Sequence, residues 1–109
     1  LIHVNEFGHI FRLQTDFDLT SNTSVGIEIT KPDNTTATVA GAVGTGTGTA
    51  TNDSTDSGED IILETNQHIL ATVTATDMFL NEGTYRVRGL YVDATKELFT
   101  DKLRFKVAT

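Results

Sequence analysis

Chemistry in this 109-residue chain has to come from three histidines, a run of carboxylates, a glycine-rich stretch, many hydroxyls and a late cluster of cations. His3, His9 and His68 are the only imidazoles. His3 and His9 stand neither two apart, as neighbours on one face of a strand do, nor four apart, as on a helix, and a zinc centre needs further ligands from elsewhere. They read as polar strand positions. Asp53, Asp56, Glu59 and Asp60 form the densest acidic group. Hard cations take several oxygens from one flexible segment, which such a run offers, but the spacing of an EF-hand loop is not met. The run reads as a solvated loop. Gly44, Gly46 and Gly48 alternate with Thr, yet no Lys and no following helix complete a phosphate-binding loop. No Ser sits in a G-x-S-x-G turn, and no carboxylate pair is framed by a cleft of the kind glycoside hydrolysis uses. With no Cys, a disulfide framework and a thiolate metal site are both ruled out. The reading is of a protein without catalytic residues, cofactor or metal.

The cations are more informative. Residues 1–83 hold Arg12 and Lys31 against twelve acids, while residues 84–109 hold Arg86, Arg88, Lys96, Lys102, Arg104 and Lys106 against three. The net charge of −7 does not fit a nucleic-acid-binding footprint, which is basic overall. Cross-strand pairing of acids with bases explains such a split within one chain. Contact between an acidic surface and the face bearing Arg86, Arg88, Arg104 and Lys106 explains it between chains. Those four residues are the candidate protein interface.

The elements that position them are β-strands. In Gly83–Val107, Tyr85, Val87, Gly89 and Tyr91 alternate with Arg86 and Arg88; Leu103, Phe105 and Val107 alternate with Lys102, Arg104 and Lys106. A period of two places one apolar and one charged face on a half-buried antiparallel strand. Strands are also expected at Ile2–Val4, Ile10–Leu13, Val25–Thr30, Ile61–Leu63 and His68–Ala75. Thr35–Val43 reads as one return strand of a hairpin across the Lys31-Pro32-Asp33-Asn34 turn. Leu19 anchors the turn-rich segment 16–24. Met78–Leu80 allows at most one helical turn, and Asp93–Glu97 is the final hairpin turn. Residues 44–60, rich in Gly, Thr, Ser and Asp, read as a mobile loop leading away from the core, with a frayed strand at its start.

One domain over residues 1–109 is expected, with about seven short strands at 8–12-residue spacing, the pattern of an all-β immunoglobulin-like antiparallel sandwich. The expected core is Phe11, Leu13, Val25, Ile27, Ile29, Val39, Ile69, Val73, Tyr85, Val87, Tyr91, Leu103, Phe105 and Val107. Phe7, Phe17 and Phe79 lie at corners and read as plugs of the sandwich ends. No apolar run approaches the roughly 20 residues that cross a bilayer, and LIHVNEF has neither the basic start nor the apolar core of an export signal. The open edges expected are Ile2–Val4 and Lys102–Val107.

The order of motifs resembles the small immunoglobulin-like domains of tailed-bacteriophage virion proteins, such as the N-terminal domain of phage upper baseplate proteins. The resemblance rests on Asp18-Leu19-Thr20, the strand Ile27–Thr30 running into Lys31-Pro32-Asp33, the corner Asp77–Leu80, the strand Gly83-Thr84-Tyr85-Arg86-Val87, and the closing strand Leu103–Val107. It implies a structural protein of a virion, in tail, baseplate or capsid decoration, that assembles with copies of itself and other virion proteins and needs no nucleic acid or membrane. The alternative is a module that recognises a host surface or a carbohydrate.

Overall fold

The computed structural model describes residues 2–51 and 60–109, and among these it is all-β with no helix. Eleven strands occur: β1 (Ile2–His3), β2 (Ile10–Gln14), β3 (Ser24–Thr30), β4 (Thr36–Ala40), β5 (Ala42–Val43), β6 (Gly48–Thr51), β7 (Asp60–Leu63), β8 (His68–Thr72), β9 (Gly83–Val92), β10 (Glu97–Phe99) and β11 (Leu103–Ala108). The larger sheet runs β1-β11-β9-β3-β4, with β10 also on β9; the smaller runs β2-β8-β5; β6 and β7 form a separate hairpin. All pairings are antiparallel except β1 with β11.

The two sheets close on one apolar core in a sandwich-like arrangement. Phe11, Leu13, Ile69 and Ala71 of the smaller sheet meet Ile27, Ile29, Tyr85, Val87, Tyr91 and Phe105 of the larger. Phe11 and Phe105 touch across the gap with ring centroids 5.2 Å apart, and Tyr85 stacks on Phe105 at 5.5 Å. These residues fall inside because β9 and β11 alternate strictly and β3 sets Val25, Ile27 and Ile29 on one face, with Gly26 also buried. Val25, Val39 and Leu103 pack against the core from partly buried positions; Ala71 joins it from β8 between Ile69 and Val73, and Ile2, Leu19, Met78 and Phe79 join it from segments without alternation. Phe79 is a fully buried plug, and Phe7 is 59% exposed.

Three expectations are corrected, and one strand is added. The return strand expected over Thr35–Val43 is two strands in different sheets, divided at Gly41, where an added Cβ would lie 2.8 Å from the Leu70 carbonyl. The chain changes sheets there because only glycine permits that approach. The closing strand expected at Leu103–Val107 is β11, and a short β10 precedes it, the two lying end to end along β9. Thr100 makes the break. Its Oγ1 accepts the Gly89 N–H at 2.7 Å, and its N–H donates to the Gly89 carbonyl at 3.1 Å. The loop expected over 44–60 contains β6 and the start of β7; its residues 52–59, with the carboxylates Asp53, Asp56 and Glu59, lie outside the described residues. The expected free edges at the two ends of the chain meet in part: β1 runs beside Val107 and Ala108 of β11, and among the described residues no strand lies beside Leu103–Lys106 on that side. The corner at Asp77–Leu80 is a turn.

Candidate functional site

The outer face of the larger sheet brings the four candidate cations together. Arg86 stands directly opposite Arg104, and Lys106 lies one inward residue further along β11. Arg86, Arg104 and Lys106 are exposed, and among the described residues no carboxylate lies within ion-pair distance of them. Two like charges directly opposite each other weaken a sheet. They persist where the inner residues of the same strands, here Tyr85, Val87, Phe105 and Val107, are fixed by the core. Arg88 behaves differently. Its Nε donates to Glu28 at 3.0 Å, and its guanidinium lies 3.9 Å over the Phe99 ring. Glu28 and Arg88 are cross-strand partners, so this cation is used inside the sheet. The unneutralised strip is therefore Arg86–Arg104–Lys106.

A second feature lies where the 16–22 segment meets the β9–β10 turn. A cleft of ≈ 560 Å³ is lined by Phe17, Asp18, Tyr91, Asp93, Lys96 and Leu98 among others. Phe17 packs edge-on to Tyr91 at 5.4 Å. The Tyr91 hydroxyl donates to Asp93 Oδ2 at 2.7 Å, and Asp93 Oδ1 accepts the backbone N–H groups of Thr95 and Lys96. These donors, the Tyr91 hydroxyl first, hold the Asp93 carboxyl down at about 2. The same bond to Asp93, with burial, pushes the Tyr91 phenol up to about 12. Asp93 is thus a fixed anion near neutral pH, able to accept hydrogen bonds and unable to lend a proton.

The turns on which both features rest share a local device. Asp18, Asp33 and Asp93 each accept the N–H and the hydroxyl of the Thr two residues on. An Asp side chain that mimics a backbone turn fixes the loop geometry, and the bonds hold the Asp18 and Asp33 carboxyls below the usual range, the Thr hydroxyl contributing most. The sequence carries this as Asp-x-Thr, a legible signal whose role emerges only with the geometry.

The histidines separate. Glu6 accepts the His3 backbone N–H at 2.7 Å and lies 3.0 Å from His9 Nε2, which lowers its carboxyl. His68 is buried, with Nδ1 2.9 Å from the Glu64 carbonyl, so that nitrogen carries the proton. Gly44 covers the ring so closely that any Cβ there would collide with His68 Nε2. Among the described residues no three His, Asp or Glu side chains converge on a metal position. At the opposite end of the sandwich, the Tyr85 hydroxyl donates to the Asn81 carbonyl at 2.7 Å, tying the entry of β9 to its preceding corner.

The fold and these surfaces define an all-β, sandwich-like protein with a cationic outer strip and a loop-end cleft. Comparison with protein-family models, with curated proteins and with solved structures finds no match.

Proposed function

We propose that this chain is an immunoglobulin-like sandwich acting as a non-enzymatic structural protein of a tailed-phage virion, held by protein–protein contacts. Its partners are other virion proteins and copies of itself. The observation that carries the assembly reading is the Arg86–Arg104–Lys106 strip, an uncompensated cationic face on a chain of net charge −7. Such a face finds its complement on an acidic surface of another molecule, with attraction that salt weakens. The immunoglobulin-like reading is supported by strand order. With β2, β8 and β5 as B, E and D, and β3, β9 and β11 as C, F and G, the neighbours are those of that fold. The Tyr85–Asn81 bond at the start of β9 matches its tyrosine corner. The virion reading is supported by the motif order over Asp18–Val107. The test is co-sedimentation of the purified chain with phage particles at low and high salt. The wild type is expected to bind and to release with salt. An Arg86→Glu, Arg104→Glu double variant that binds equally well overturns the reading.

The cleft favours a second reading, recognition of a carbohydrate. An aromatic wall from Phe17 and fixed carboxylate acceptors at Asp18 and Asp93 suit sugar rings and hydroxyls, and loops at one end of a sandwich commonly carry recognition. Titration with neutral oligosaccharides, followed by amide chemical shifts, is expected on this reading to move Phe17 and Thr95 first. No shift at millimolar sugar removes it.

A further inference from the structure

We infer that β4 is a self-pairing edge: two copies of this chain join β4 to β4, antiparallel, about a two-fold axis through Thr38. The inference deepens the assembly reading by naming one contact between copies, but it stands on geometry that does not require a virion.

Parity along β4 sets which backbone groups are open. The Lys31 N–H donates to the Thr35 carbonyl at 2.8 Å, and the Gly41 N–H to the Val25 carbonyl at 3.0 Å. In an antiparallel pair the residues facing the partner alternate, so odd-numbered residues of β4 bond to β3. The N–H and C=O groups of Thr36, Thr38 and Ala40 therefore point away from the sheet. No strand among the described residues pairs with that edge.

The edge lacks the usual protections. Edge strands are kept single by charge, by Pro, by bulges or by brevity. Thr35–Gly48 contains no charged residue and no Pro, and β4 itself runs five residues. The other edges of the two core sheets differ: β1 and β5 have two residues each, β10 has three and carries Glu97, β2 carries Arg12, and the open stretch of β11 carries Arg104 and Lys106.

The occupant follows from self-complementarity. An axis through Thr38 sets Thr38 against Thr38, Thr36 against Ala40 and Ala37 against Val39. All the outward backbone groups then fall at hydrogen-bonded positions. Thr–Thr pairs are favourable across strands, and no like charges meet. The nearest charged residue across the sheet, Glu28 opposite Thr38, is already neutralised by Arg88. The half-buried Ala37 and Val39 would gain apolar cover from the partner. One strand edge buries less than a standard interface of about 1,600 Å², so the pairing is weak in isolation and effective when repeated in an assembly.

The experiment is sedimentation equilibrium of the full chain from about 10 µM to about 1 mM, near −7 to −4 kcal/mol of association. Concentration-dependent dimers are expected, unchanged or strengthened by salt. Thr38→Lys sets two cations at the axis, and Thr38→Pro deletes an outward N–H; each should weaken association at least tenfold. Far-UV circular dichroism checks folding, and Thr38→Lys, exposed and edge-facing, keeps the test valid if the proline variant unfolds. Thr38→Cys introduces the sole thiol of the chain and should yield a disulfide-linked dimer on mild oxidation. A monomer throughout the range overturns the inference, as does a dimer that survives both Thr38 changes. A dimer abolished only by Arg86→Glu assigns association to the cationic strip instead. Dimerisation of a chain absent from particles would leave β4 pairing standing and remove the virion reading.

Discussion

At the residue scale the decisive interactions are side chains bonded to nearby backbone. Tyr85→Phe removes the bond to the Asn81 carbonyl and keeps the ring in the core, so a loss of about 1 kcal/mol in urea unfolding is expected. Gly44→Ala should cost more, about 1–3 kcal/mol, because the methyl group meets the buried His68 ring and something must move. Asp93 sets a pH dependence. Its carboxyl is ordinarily near 3.8 and lies at about 2 when folded, so its contribution is complete above 3.8 and fades as pH falls through 2. Asp93→Asn should therefore be less stable than wild type at pH 6, with the gap closing by pH 2. An unchanged gap in acid-titrated denaturation would show that the Tyr91 and turn bonds are not what lowers the carboxyl. Residue types alone did not reveal these roles: the sequence identifies Tyr85 as a core aromatic, but its hydroxyl partner depends on the corner before β9.

At the element scale, alternation made β3, β9 and β11 legible, with the correct faces inward, because their core sides carry aliphatic and aromatic residues broken only by Gly89. It failed where one run serves two sheets, β4 in the larger and β5 in the smaller. Thr35–Val43 read as continuous, and it is divided by a tight approach at Gly41 that only the packed sheets define; the short β10 ahead of the closing strand went unread, set off by the contact of Thr100 with Gly89. β6 and its pairing with β7 were missed because Gly-Thr alternation presents no apolar face. Ile61, Ile62 and Leu63 do not join the core, and Ile62 is 61% exposed. Replacing residues 48–63 by a short Gly/Ser connector should lower the melting temperature by only a few degrees. A fall of the size expected for a core deletion would show that the hairpin is a structural part of the sandwich. Of the four cations marked in the sequence, alternation correctly set all on one face, but it did not separate Arg88, which Glu28 and Phe99 occupy, from the three that remain.

At the scale of the whole molecule, the proposal joins an uncompensated cationic strip, an uncharged strand edge and a sandwich that strand order likens to immunoglobulin domains. Arg88→Glu sets Glu opposite Glu28 and is expected to weaken folding, so changes at Arg86 and Arg104 probe assembly more cleanly. The central claim, a virion component that works by assembly, is tested most directly by quantitative mass spectrometry of purified phage particles. The account predicts this chain at a fixed ratio to a major structural protein, unchanged through density-gradient purification. Its absence from particles, or a ratio that drifts with each purification step, would contradict the account.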